Sequence, residues 1–91
     1  FNSQFGRDLA GFFARKVQKM KEENNMDAID IAYWLAFTRR PTEKQKARAE
    51  RFLFEQSQRY SFEGGMKTRD MKALTDFCLV LLNSNEFLYL D

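Results

Sequence analysis

Residues 28–45 read AIDIAYWLAFTRRPTEKQ, and this stretch decides the fold because it holds one helix, its end and the start of the next helix. Residues 28–37 are apolar at every position except Asp30, a pattern that predicts a helix buried on most sides. Asp27 is the predicted N-cap, since its carboxylate is able to accept hydrogen bonds from the first backbone N–H groups. Pro41 disfavours helical geometry at the residue before it, so a turn is expected there.

The helix after this turn has the clearest start in the chain. Thr42 and Gln45 form the Thr-x-x-Gln pattern of a capping box, in which each side chain accepts from the other residue's backbone N–H. The helix is predicted to run to about Tyr60. Its predicted core-facing residues are Ala49, Phe52, Leu53 and Tyr60. Phe54 lies on the opposite side together with Ala47, which predicts that Phe54 faces a partner.

Two further helices flank this pair. The first is predicted from apolar residues at helical spacing, with Asn2 or Ser3 as its cap and the polar residues 22–25 as its end. Its predicted core face is Phe5, Leu9, Phe12, Phe13, Val17 and Met20. A loop over residues 61–68 contains two adjacent glycines and precedes a fourth helix over about residues 70–83. The predicted core face of that helix is Met71, Leu74, Phe77, Cys78, Leu81 and Leu82.

The aromatic residues complete the fold prediction. Tyr33 and Trp34, on the apolar helix, are predicted to be central aromatic anchors, with the lining of a ligand pocket as the alternative. Residues 84–91 are apolar and aromatic but too short for another full helix, so they are predicted to turn and pack back on the other helices. These patterns together predict an all-α fold, a small four-helix bundle-like domain with up-down helices, short loops and a C-terminal aromatic tail.

The composition indicates one domain and excludes several kinds of site. The 91 residues are 44% hydrophobic and include 10 Phe but only 4 Gly and 1 Pro, so one packed domain over residues 1–91 is expected rather than disorder. The sequence contains no His, which excludes Ser/His and Cys/His nucleophile pairs. Its single Cys excludes an internal disulfide, a four-Cys zinc site and a haem attachment sequence. No catalytic, cofactor-binding or metal-binding residue is therefore predicted.

Positive charge is concentrated in one part of the chain. The net charge is only +2, too small by itself to indicate nucleic-acid binding. Six cations nevertheless fall close together, namely Arg39, Arg40, Lys44, Lys46, Arg48 and Arg51. Because Glu43 and Glu50 interrupt them, we interpret the stretch as a solvated helix face, with phosphate contacts by these six residues as the alternative.

Several stretches resemble a known family. LNSNEFLY, residues 82–89, strongly resembles the closing segment of a planctomycete-type domain of unknown function. AYWLAF at residues 32–37, followed by RPT at residues 40–42, is similar to that family's helix, short turn and Pro-Thr helix start. FNS at residues 1–3 is similar to an earlier Asn-Ser junction of the family. Thr38 stands at a turn position where the family often has Gly.

The resemblance implies a context rather than a chemistry. In that family the domain lies at the C-terminus of large, usually exported proteins that often carry a cytochrome c-like domain near the other end. The resemblance therefore implies the C-terminal fragment of a larger protein, in the periplasm or outside the cell, and the start at Phe1 agrees with it. The longest apolar runs, residues 31–37 and 77–82, are far shorter than the roughly 20 residues that span a bilayer, so no membrane span is predicted.

We therefore predict a non-catalytic structural or protein-interaction module of a larger exported protein. Its expected partners are other domains of the same parent protein or another protein. The predicted interaction surface consists of Phe54, Phe87, Leu88, Tyr89 and Leu90. Two alternatives stay open: a nucleic-acid-binding module that uses the basic helix 39–51, and a fragment that completes an enzyme site with missing domains.

Overall fold

The computed structural model describes residues 3–60 and 64–88. Over these residues the chain forms five helices and no strand. The helices are α1 (Gln4–Asn24), α2 (Ala28–Phe37), α3 (Glu43–Arg59), α4 (Met66–Leu82) and α5 (Asn85–Leu88). The predicted all-α, bundle-like fold is confirmed, and the tail adds a short fifth helix to the four predicted.

Side-chain caps determine where the first three helices begin. Ser3 caps α1, with its Oγ accepting from a first-turn backbone N–H at 3.2 Å. Asp27 caps α2, with its Oδ1 accepting from a first-turn N–H at 2.8 Å. At the start of α3, Thr42 Oγ1 accepts from the Gln45 N–H at 3.1 Å and Gln45 Oε1 accepts from the Thr42 N–H at 3.0 Å. Each cap satisfies a donor that has no partner inside its helix, and the predicted caps at Asp27 and Thr42 are confirmed.

Helices α1 and α2 both end on a residue with a left-handed backbone. Asn25 has φ 51° and donates its N–H to the Lys21 carbonyl oxygen at 3.0 Å. Thr38 has φ 53° and donates its N–H to the Trp34 carbonyl oxygen at 2.8 Å. Asn tolerates this conformation, whereas a β-branched residue is strained in it. The turn between α2 and α3 therefore contains a strained residue where glycine would be relaxed.

Helix α4 is the central element of the fold, since it contacts each of the other four helices. Among the described residues, α1 and α3 both contact α4 but do not contact each other. Asp76 of α4 also joins α3 through its Oδ2, which accepts from Gln56 Nε2 at 2.9 Å and from the Tyr60 hydroxyl at 2.7 Å. The largest fully buried side chains are Ile31, Leu82, Val17 and Cys78.

The predicted core face of α4 is confirmed, but its predicted start is wrong. Leu74, Phe77, Cys78, Leu81 and Leu82 are buried, and Met71 is half-buried. The helix begins at Met66 rather than near Asp70. Residues 67–70 lack apolar spacing, yet Lys and Arg are good helix formers and extend the helix into solvent. Residues 61–63 of the predicted loop lie outside the described residues.

The predicted core face of α1 is wrong for its two outer phenylalanines. Phe5 and Phe12 are 68% and 60% exposed. The fully buried residues of α1 include Ala10, Ala14 and Val17, while Leu9, Phe13 and Met20 pack partly buried beside them. Small side chains let another helix approach closely, so the buried face is centred on the alanines rather than on the largest apolar residues.

The prediction that two aromatic anchors lie in α2 is half right. Tyr33 is buried, and its ring centroid lies 5.4 Å from that of Phe37 and 6.4 Å from that of Phe77. Trp34 is 53% exposed, so it is not a central anchor. Since α2 is almost wholly apolar, its composition does not distinguish the inner side from the outer side.

Candidate functional site

A groove of about 720 Å³ opens beside the N-terminal half of α4. Residues 67, 68 and 70–74 of α4 line it together with the C-terminal parts of α1 and α3 and the first residue of α2, Ala28. The groove lies where α1 and α3 both pack on α4 without contacting each other in the described part of the chain. Its volume falls within the roughly 300–1,000 Å³ typical of binding sites.

The surface inside the groove is mainly apolar. Leu74 is buried, and Leu53 and Met71 are half-buried along the groove. Ser57 is polar, but its hydroxyl donates to the Phe54 carbonyl oxygen at 2.8 Å within α3. A partner that enters the groove therefore meets apolar side chains and a hydroxyl that already has a hydrogen bond.

Phe54 lies at the edge of this groove, and its side chain is 67% exposed. The prediction that it points away from the core is confirmed, and the prediction that it meets a partner stays a prediction. Exposed phenylalanines are common at protein surfaces, and Phe5 and Phe12 are exposed as well. Among these three rings, Phe54 alone lines the groove, so it is the one placed beside a concave apolar surface.

The groove also has a charged rim that the sequence pattern does not predict. In the described part of the chain, Lys21 of α1 and Lys67 and Lys72 of α4 line it, together with one carboxylate, Asp70. The Oδ1 atom of Asp70 lies 4.0 Å from Nε of Arg69. The sequence pattern predicts a loop over residues 61–68 and so places Lys67 outside any helix, whereas only the contact between α1 and α4 places Lys21 beside it.

The described part of the aromatic tail packs against the helices. Ser84 Oγ accepts from the Phe87 backbone N–H at 3.3 Å, which starts α5. Phe87 is half-buried and packs against the core, whereas Leu88 is 45% exposed. The structure does not bring these two residues to the lining of the groove beside Phe54. Tyr89 and Leu90, the other predicted members of the interaction surface, lie outside the described residues.

Arg39 and Glu86 form the most extensive ion pair of the described residues. Arg39 Nη2 donates to Glu86 Oε1 at 2.6 Å, and Arg39 Nε donates to Oε2 at 2.9 Å. The guanidinium carbon also lies 5.6 Å from the ring centroids of both Tyr33 and Phe37. The hydrogen bonds from Arg39 hold the pKa of the Glu86 carboxyl below its ordinary value. This pair joins the turn after α2 to α5.

The other predicted phosphate contacts divide into paired and exposed side chains. Lys46 Nζ lies 3.0 Å from Asp30 Oδ1 and 3.7 Å from Asp27 Oδ1, and its hydrogen bond to Asp30 raises the pKa of Lys46. Arg51 Nε lies 3.9 Å from Glu55 Oε1. Arg40, Lys44 and Arg48 are exposed. Two of the six predicted cations, Arg39 and Lys46, thus hold the fold together, and the basic stretch is not one continuous free stripe.

In residues 3–60 and 64–88, the thiol is buried and the acidic residues form no metal-binding cluster. Cys78 is fully buried, as predicted, and burial raises the pKa of its thiol to about 12, so the thiol stays protonated at neutral pH. Over the same residues, no three His, Cys, Asp or Glu side chains are grouped so that they could hold a metal ion. None of the described helices has the length and apolar content that crossing a membrane requires.

The chain matches no protein-family model, no curated protein and no solved structure. The resemblance of residues 82–89 to the planctomycete-type domain therefore stays an expectation.

Proposed function

We propose that the chain is a non-catalytic helical module of a larger exported protein, and that it binds another domain of that protein, or another protein, through the groove beside Phe54. The observation that carries the proposal is the apolar groove of about 720 Å³ with an exposed aromatic ring at its edge. Burial of apolar surface by a partner contributes roughly 25 cal/mol per Å². Concave apolar surfaces of this kind are typical of interaction sites.

The chemistry of the side chains supports a non-catalytic role. The sequence contains no His, the residue most often used as a general base. Cys78, its single thiol, is buried and protonated. The two shortest ionic contacts of the described residues, those of Arg39 and Lys46, join elements of the fold to one another. The context of a larger exported protein is supported by the resemblance to the planctomycete-type domain.

Site-specific photo-crosslinking in the cells that make the protein tests the binding surface. A photoreactive amino acid replaces Phe54 in one variant and Glu55 in the control, because Glu55 is also exposed but does not line the groove. We expect position 54 to crosslink to one defined protein segment, identified by mass spectrometry, and position 55 to give at most about a tenth of that product. Equal crosslinking from both positions, or none from position 54, would contradict the proposal.

Cell fractionation tests the proposed context. An antibody against this domain is expected to detect a product larger than the 10.8 kDa of the chain in the periplasmic or secreted fraction. A 10.8 kDa product confined to the cytoplasm would refute the exported parent protein. That result would leave the binding surface to be decided by the crosslinking.

A further inference from the structure

We propose that the groove binds an acidic amphipathic helix, with the apolar residues of that helix inside the groove and its carboxylates against the lysines of the rim. This inference rests on the proposed function and adds the chemistry of the partner to it. The partner segment belongs either to the parent protein or to another protein, and its chemistry is the same in both cases.

The shape of the groove fits one face of a helix. Residues 67, 68 and 70–74 of α4 line it, and this part of the helix spans about 12 Å at the helical rise of about 1.5 Å per residue. Apolar residues four positions apart on a partner helix are separated by about 6 Å, so two or three of them fit along this length. Helices that bind in grooves place residues i, i+3 or i+4, and i+7 into them in this way.

The charge of the rim determines the preferred charge of the partner. Among the described residues, Lys21, Lys67 and Lys72 line the groove against one carboxylate, Asp70, which has Arg69 as its near neighbour at 4.0 Å. Within the described residues, Lys21 and Lys67 form no ion pair. A carboxylate on the partner would therefore gain cationic contacts at the edge of an apolar surface, whereas a basic partner would be repelled.

The start of α4 adds to this preference. Its N-cap residue, Gly65, has no side chain that could accept from the first backbone N–H groups, and its first turn contains no acidic residue. The positive end of the helix dipole thus lies beside Lys67, where it favours negative charge. Nucleic acid is also anionic, but its phosphate backbone has no apolar face to fill the surface formed by Leu53 and Met71.

Binding of two designed peptides tests the charge preference. Both are helices of about 14 residues with leucines on one face, and they carry either Glu or Lys on the other face. Each is labelled with fluorescein, and its binding to the 91-residue chain is measured by fluorescence anisotropy. We expect the Glu peptide to bind at least about tenfold more tightly than the Lys peptide, and this difference to shrink as salt rises from about 0.05 M to about 0.5 M.

Two pairs of matched variants locate the binding site. Phe54→Ser removes the ring at the groove edge, and Phe12→Ser removes a similarly exposed ring outside it. Lys67→Glu reverses a charge at the second position of α4, and Lys44→Glu reverses one at the second position of α3. Because Glu is favourable in the first turn of a helix, neither reversal should unfold the chain. We expect the groove variants to weaken binding of the Glu peptide about tenfold and the controls to change it less than about twofold.

The outcomes test the chemistry of the partner separately from the proposed function of the groove. If both peptides bind equally and Phe54→Ser weakens both, the groove is an interaction surface but the acidic preference is wrong. If the Glu peptide fails to bind, or if Phe12→Ser weakens it as much as Phe54→Ser does, the acidic helix is not the occupant. Dodecanoate that binds in the groove more tightly than the Glu peptide would overturn the inference in favour of a lipid-like anion. Crosslinking from position 54 decides the proposed function separately.

Discussion

The ion pair between Arg39 and Glu86 allows a quantitative test of how the tail is held. Both side chains are partly exposed, 35% and 43%, which limits their pair to about 1 kcal/mol, the upper end for exposed pairs, despite two short hydrogen bonds. The guanidinium also lies over the rings of Tyr33 and Phe37, and each such contact contributes about 0.5 kcal/mol. We therefore expect Glu86→Gln to lower the free energy of unfolding by about 1 kcal/mol and Arg39→Ala to lower it by about 2 kcal/mol.

A double-mutant cycle in urea measures this interaction directly. The coupling free energy between Arg39→Ala and Glu86→Gln should be about 1 kcal/mol, and each kcal/mol should shift the melting temperature by about 4–8 °C. The pair of Arg51 and Glu55 is the matched control, since its N–O distance is 3.9 Å and its side chains are 81% and 62% exposed. Its coupling should be below about 0.3 kcal/mol.

The pH dependence of the coupling follows from the lowered pKa of Glu86. Because the pKa of this carboxyl is lower in the folded state than its ordinary value of 4.5, its contribution is present above pH 4.5 and is lost as the pH falls through the folded-state pKa. The coupling should therefore be constant at neutral pH and disappear in acid. A coupling near zero at pH 7, or one that persists after Glu86 is protonated, would refute this account of how α5 is held.

Three further changes test the interior and the turns. Thr38→Gly should raise the free energy of unfolding in urea by about 0.5–1 kcal/mol, because glycine relaxes the left-handed backbone; a destabilised variant would show that Thr38 is not strained. Ile31→Ala should lower the free energy of unfolding by about 2–5 kcal/mol, because Ile31 is 1% exposed. A decrease of less than about 1 kcal/mol would mean that the neighbouring residues close around the smaller side chain. Cys78 should react with a thiol reagent at pH 8 only at the rate of global unfolding and rapidly in urea; fast labelling without urea would contradict its burial.

Features that depend on neighbouring residues were predicted well. The capping box of Thr42 and Gln45 and the cap of Asp27 involve atoms within three residues of each other, so no distant contact was needed to identify them. The core face of α4 was also predicted, because its large apolar residues recur at helical spacing on one side and that side is the one that packs.

Features that depend on the packing of one helix against another were not predicted. The helical spacing of the apolar residues predicts Phe5 and Phe12 in the core, whereas the structure leaves both exposed and buries Ala10 and Ala14 instead. The groove was not predicted for a related reason. Its rim combines Lys21 of α1 with residues of α4. No sequence pattern indicates that α1 and α3 both pack on α4 without contacting each other. Of the described residues that line the groove, only Phe54 was predicted from the sequence to face a partner, because its position on the outer side of α3 depends on that helix alone.

The central position of α4 has a consequence for how the chain folds. Two helices and three connections separate α1 from α4, so their contact closes a long loop, which costs entropy before any packing is gained. During synthesis, α1 and α3 leave the ribosome before the helix that holds both of them. Nascent chains that have not reached residue 82 thus expose apolar side chains destined for the interior, and they are the species most open to aggregation and proteolysis.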